Sequence, residues 1–139
     1  MKSIYRITTL SIALFVSISA FTQKDYERIS EMDGVVFYGK LKPSKLFRKN
    51  SPLKLMVKAF NTNNYPVNCS IKVSFFEDGI STEESELIHF CVKGNRTAKG
   101  RRNGMHLLSA GSTNEEMKDE ASSFEIYVAK VTKTESCKK

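Results

Sequence analysis

The densest chemistry in the chain is the run KGNRTAKGRRNGMHLL, residues 93–108. Lys93, Arg96, Lys99, Arg101 and Arg102 fall in it with no acid between them, and Gly94, Gly100 and the pair Asn103-Gly104 punctuate it. Side chains of this type bind anions, arginine through a planar fork of N–H donors and lysine through a compact charge. A nucleotide-gripping P-loop is excluded. That motif reads GxxxxGK followed by Ser or Thr, so that backbone amides cradle a phosphate. Here Gly94 and Gly100 stand one residue too far apart and Arg101-Arg102 follow.

A second basic strip, KLKPSKLFRK, carries Lys40, Lys42, Lys45, Arg48 and Lys49. If the fold brings the two strips together, Lys93, Arg96, Lys99, Arg101, Arg102, Lys45 and Arg48 form an anion-binding face. Its ligand would be a phosphorylated glycan, a lipid headgroup or nucleic acid. Nucleic acid is the least expected of these, because base stacking wants interleaved aromatic rings and Phe47 is the only one within either strip. The competing reading is a solvated edge and loop whose lysines confer solubility and block strand pairing between molecules.

Other chemistries are poorly provisioned. The acids of EDGISTEESE (Glu77, Asp78, Glu83, Glu84 and Glu86) lack the spacing of an EF-hand calcium loop. The two histidines, His89 and His106, lie in strand-like runs out of phase with their apolar neighbours. No HExxH or CxxC accompanies them to hold zinc, and no GxSxG elbow offers a nucleophile. No enzyme activity, metal or cofactor is therefore expected. The sequons at Asn68 and Asn95 would matter only in a eukaryotic secretory pathway.

What must position these residues is a short chain of 139 residues with a net charge of +7. Residues 1–22 have the anatomy of a secretory signal peptide: Lys2 and Arg6, then the apolar run Ile7–Phe21, then small side chains at Ala20 and Thr22. The expected product is exported, to periplasm or extracellular space, with no membrane span left after cleavage and an excess of basic residues. Export makes a disulfide permissible. Of the three cysteines, Cys69 falls in phase with Val67, Ile71, Val73 and Phe75 and is expected as a buried thiol. Cys91 falls out of phase with Ile88, Phe90 and Val92 and is free to reach another segment; of the three possible pairings, Cys91 with Cys137 is expected, which would staple the C-terminal tail.

From residue 34 onward the chain reads as strands and turns. Residues 34–41, 52–61, 65–77, 85–93, 104–109 and 122–132 are β-branched, aromatic or alternating, and 96–101 is a candidate seventh strand. Asp78-Gly79 is a hairpin signal, because both positions tolerate positive φ. Residues 23–33 read as a flexible polar leader, loose or partly helical. A short helical turn is expected near 113–121, where Ser112 with Glu115, or Thr113 with Glu116, spaces like a capping box. The expected layout is a signal peptide (1–22), the leader (23–33), a β-sandwich domain (34–135) and a tail (136–139).

Six or seven short strands with regular turn signals predict an all-β antiparallel sandwich. The stretch LKLMVKAFNTNNYPVNCSIKVSFFEDG, a strand, an Asn-rich turn and a long strand ending in an acidic glycine turn, resembles small exported bacterial immunoglobulin-like proteins of unknown function. The resemblance extends over residues 34–132 and implies a single immunoglobulin-like β-sandwich. The antibody signature is missing: there is no tryptophan, and Cys69 and Cys91 are too close in sequence to bridge the two sheets. The expected function is non-catalytic binding of a protein or an anionic surface ligand, the alternatives being anion recognition by loops 40–49 and 93–102, or a structural subunit of an envelope complex.

Overall fold

The computed structural model describes residues 26–45, 48–113, 115 and 122–138. The signal peptide expected over 1–22 lies outside these residues, as does most of the helical turn expected near 113–121. The described residues form nine strands: β1 (Glu27–Met32), β2 (Val35–Pro43), β3 (Pro52–Asn61), β4 (Val67–Glu77), β5 (Ile80–Glu84), β6 (Ile88–Val92), β7 (Thr97–Lys99), β8 (His106–Thr113) and β9 (Ser122–Lys133), with a 3₁₀ turn at Arg101–Asn103. They build two antiparallel sheets, an all-β sandwich as the alternation predicts.

The two sheets share one plan. In sheet A the long strand β3 pairs with β2 along one edge, while β7 and β8 divide the other edge between them. In sheet B the long strand β4 pairs with β9 along one edge, while β6 and β5 divide the other. The chain changes sheets at the Asn-rich turn after β3, again between β6 and β7, and again between β8 and β9. No helix among the described residues is long and apolar enough to cross a membrane.

The strand count exceeds the expected six or seven for definable reasons. The segment read as a loose leader is β1, antiparallel to β2. Its alternation is hidden by a register shift between Arg28 and Ser30, which brings both Ile29 and Met32 against the core, three residues apart instead of two. The signal that finds it is Asp33-Gly34, with φ of 48° and 76°. This is the same dipeptide and backbone as Asp78-Gly79, at 49° and 78°, and both close hairpins with positive φ at the two central positions. The charged sequence after Asp78-Gly79 pairs back as β5, and β7 supplies the short strand near 96–101.

The core fills the space between the sheets. Val35, Phe37, Leu55, Val57 and Ala59 of sheet A meet Cys69, Ile71, Val73, Phe75, Ile126 and Val128 of sheet B, with Phe90, Val92, Ala98 and Met105 closing the divided edges. Each large apolar side chain buried in this way contributes about 1.5–3 kcal/mol. Asn61 is a fully enclosed polar residue. Asn61 donates from Nδ2 to the carbonyls of Tyr65 (2.8 Å), Val92 (3.2 Å) and Lys93 (3.4 Å), and its Oδ1 accepts from the backbone N–H and side-chain amide of Asn63. It ties the β3–β4 crossing to the start of the basic run, and its burial costs little because its partners are protein groups.

The disulfide joins Cys91 to Cys137, with Cα atoms 5.5 Å apart. Cys91 lies on β6 and the tail leaves β9, strands that flank β4 on opposite edges. The staple therefore straps the tail across the end of β4, where the Thr134 N–H donates to the Pro66 carbonyl at 3.0 Å. Cys69 is the free thiol, 1 % exposed. A disulfide of this kind belongs to a non-reducing environment.

Candidate functional site

The basic run divides into two parts with different settings. Residues 93–96 form a tight turn pinned from below. The Asn95 N–H donates to the Asn63 carbonyl at 2.8 Å, Arg96 N–H to Lys93 at 3.2 Å, and Asn61 N–H to the Arg96 carbonyl at 3.0 Å. Gly94 is required there, since a Cβ would come 2.5 Å from the carbonyl carbon of Asn64. Lys93 and Arg96 are exposed at this end of the sandwich, beside the last residue of β3.

Lys45, Arg48 and Lys49 sit at the other end, in the loop that precedes β3 and is held by Ser51. Its hydroxyl donates to the carbonyls of Arg48 (3.0 Å) and Lys45 (3.2 Å). The ten residues of β3 put about 30 Å between the two ends at the usual rise per residue. The single face expected from Lys45 and Arg48 together with Lys93 and Arg96 is therefore not formed. Loops at opposite ends of one strand cannot converge.

A different cationic surface is formed between those ends, on the outer face of sheet A. Side chains directly opposite each other on antiparallel strands share a face. One outward row runs Arg28, Tyr38, Lys58 and Lys99; the next holds Lys40, Met56 and His106; the next holds Lys42, Lys54 and Leu108. Lys99 comes from the basic run and Lys42 from the second strip. Arg101, in the 3₁₀ turn, is close enough to His106 to act on it electrostatically. Arg102 is its exposed neighbour. The fold thus gathers part of each strip with His106 and with Lys54 and Lys58, two lysines outside both strips. Their signal was present in PLKLMVKAFN, whose polar phase carries Lys54 and Lys58 opposite the apolar phase.

Among the described residues, cations outnumber acids on this face. Lys58 lies opposite Lys99, and Lys42 opposite Lys54. The Lys58 ammonium sits over the ring of Tyr26 at 4.3 Å and that of Tyr38 at 5.3 Å, a cation–π arrangement that holds it in place. Glu31, in the adjoining row with Val36 and Phe60, is paired with Arg28. Partial burial, and then the charges of Lys54, Lys42 and Arg101, hold His106 below its ordinary pKa of 6.5.

The outer face of sheet B contrasts with this. Lys72 pairs with Glu84 at 2.7 Å, and the hydrogen bond from Lys72 holds the Glu84 carboxyl below its usual value. Ser70 and His89 hydrogen-bond at 2.7 Å. Opposite charges meet there, whereas Lys42 with Lys54 and Lys58 with Lys99 are like charges meeting on sheet A. His89 and His106 lie on different sheets, and among the described residues no three His, Cys, Asp or Glu side chains are grouped to hold a metal. The chain matches no family model, no curated protein and no solved structure.

Proposed function

We propose that this protein is an exported, immunoglobulin-like binding module without catalytic activity, and that it recognises an anionic partner through the outer face of sheet A. One observation carries the reading. Lys58 and Lys99, and Lys42 and Lys54, are like charges placed directly opposite one another on adjacent strands. Such pairs cost a sheet up to about 1 kcal/mol each, a cost that alternating signs would remove and that sheet B avoids with Lys72 and Glu84. A surface that keeps this repulsion gains when an anion covers it. The same charges also raise the rate of encounter with an anionic partner.

Export rests on the leader composition of residues 1–22 and on the Cys91–Cys137 disulfide, which fits an oxidising compartment. Retention of the disulfide-bonded protein on a sulfated-polysaccharide column, followed against salt, tests the reading. Each lost ionic contact lowers the log–log salt slope by about one. The Lys54→Gln, Lys58→Gln, Lys99→Gln variant is expected to elute at far lower salt than the parent. The Lys93→Gln, Arg96→Gln variant, altered only at the pinned turn, is expected to elute close to the parent. The reverse order would move recognition to the turn, and equal elution of all three would dismiss both surfaces as the anion site.

A further inference from the structure

The cationic face carries more than charge. Leu108, 58 % exposed, stands in the row of Lys42 and Lys54, and Phe60, 37 % exposed, stands in the row next to Lys58 and Lys99. Met56 is half-buried between them, opposite Lys40 and His106. Leu108 and Phe60 are two of the five large apolar side chains exposed among the described residues, Leu108 beside Lys54 and Phe60 one row from Lys58 and Lys99.

The cations also spread in two dimensions. Lys42 and Lys54 lie side by side across two strands. Lys58 and Lys99 do the same further along, about 13 Å away at the usual rise for four residues. A linear polyanion presents its charges on a single track, whereas a layer of headgroups presents them over an area. Lysine stems are long and apolar, so they can lie along a surface while the ammonium reaches outward. Tyr26 and Tyr38, with a polar tip on an apolar ring, flank Lys58.

Resting on the reading of this face as the recognition surface, we infer that its partner is the anionic surface of a lipid bilayer. Lys42, Lys54, Lys58 and Lys99 meet the headgroups, and Leu108 and Phe60 enter the interface as apolar contacts. The arrangement combines the two elements that bind a peripheral protein to a membrane, electrostatic attraction and limited apolar burial. Neither is sufficient alone. Each basic residue near an anionic surface contributes about a fivefold gain in partitioning, and an exposed leucine buried at the interface adds about tenfold.

The test is cosedimentation of the disulfide-bonded protein with phosphatidylcholine vesicles, and with phosphatidylcholine vesicles containing about one-third phosphatidylglycerol. Retention on soluble dextran sulfate is measured beside it. The protein is expected to sediment with the anionic vesicles and not with the neutral ones. Leu108→Ser with Phe60→Ser is expected to lower vesicle partitioning by about tenfold or more and to leave dextran sulfate retention unchanged. Lys54→Gln, Lys58→Gln, Lys99→Gln is expected to weaken both. A thermal melt shows that each variant is folded.

Binding to dextran sulfate without binding to anionic vesicles overturns the lipid inference and leaves anion recognition standing, with a soluble polymer as the partner. So does vesicle binding that is indifferent to Leu108 and Phe60. Lysine-variant behaviour identical to the parent in both assays overturns the face itself.

Discussion

Lys58 and Lys99 face each other across the β3–β7 pair, on the same outward side of sheet A. Lys58 is steadied by the rings of Tyr26 and Tyr38, and no acid shares their row. The pair is tolerated because its cost is small beside the burial of any one core side chain such as Phe37 or Leu55.

Relieving that repulsion should separate stability from binding. Lys99→Glu puts an opposite charge across from Lys58. It is expected to stabilise the fold by about 0.5 kcal/mol at low salt while weakening retention on a polyanion. Urea denaturation and column elution of the same preparation read the two effects. A variant that loses stability would show that Lys99 is held by contacts other than its neighbour's charge.

His106 should report the state of the cationic face. Its folded-state pKa is lowered, so the unfolded chain takes up a proton more readily than the native one. The histidine therefore opposes folding as pH falls through the ordinary value of 6.5, and its effect is absent well above that pH. An NMR titration is expected to give a midpoint below 6.5 that rises with salt, as Lys54, Lys42 and Arg101 are screened. A bound polyanion should also raise it. A midpoint indifferent to both would place His106 outside the field of those cations.

The disulfide should matter most for the unfolded chain. It closes a loop of sequence separation 46, which chain entropy values at roughly 4 kcal/mol. Cys137→Ser is expected to lower the stability measured in urea by about 2–4 kcal/mol while leaving the sandwich intact. An unchanged midpoint after reduction would mean that the tail is held without the bond. The buried thiol of Cys69, pushed up to about 11 by desolvation, is expected to resist a thiol reagent in native protein and to react on unfolding.

Asn61 should be among the most sensitive polar positions. Asn61→Ala would strand the carbonyls of Val92 and Lys93 and release the Asn63 turn beneath residues 93–96. The expected loss is about 2–3 kcal/mol. Gly94→Ala should act at the same place by driving a Cβ into the Asn64 backbone. If protease cleavage within residues 93–103 does not rise in either variant, the network does not hold the turn.

Much of the fold was legible because a strand writes its two faces into alternate residues. The phase of PVNCSIKVSFF buries Cys69, and the phase of ELIHFCVK turns Cys91 outward. Asp78-Gly79 announced its hairpin through the positive φ that both residues accept. β1 stayed hidden because its register shift breaks the period of two that reveals strands. The basic run was legible as charge but not as a site. Lys93 and Arg96 stand at one end of β3, Lys45 and Arg48 at the other, and of these two strips Lys99, Lys40 and Lys42 reach the sheet face.

By itself, then, the sequence determined which side chains of the regularly alternating strands face the core, where the Asp78-Gly79 turn falls and which cysteine is free to leave its sheet. These are local consequences of a two-residue period and of backbone preference. Only the tertiary structure decided that Lys42 meets Lys54 and Lys58 meets Lys99, with Leu108 and Phe60 among them. Cross-strand neighbours come from segments far apart in the chain, and register is set by the packing of the whole core rather than by any one stretch.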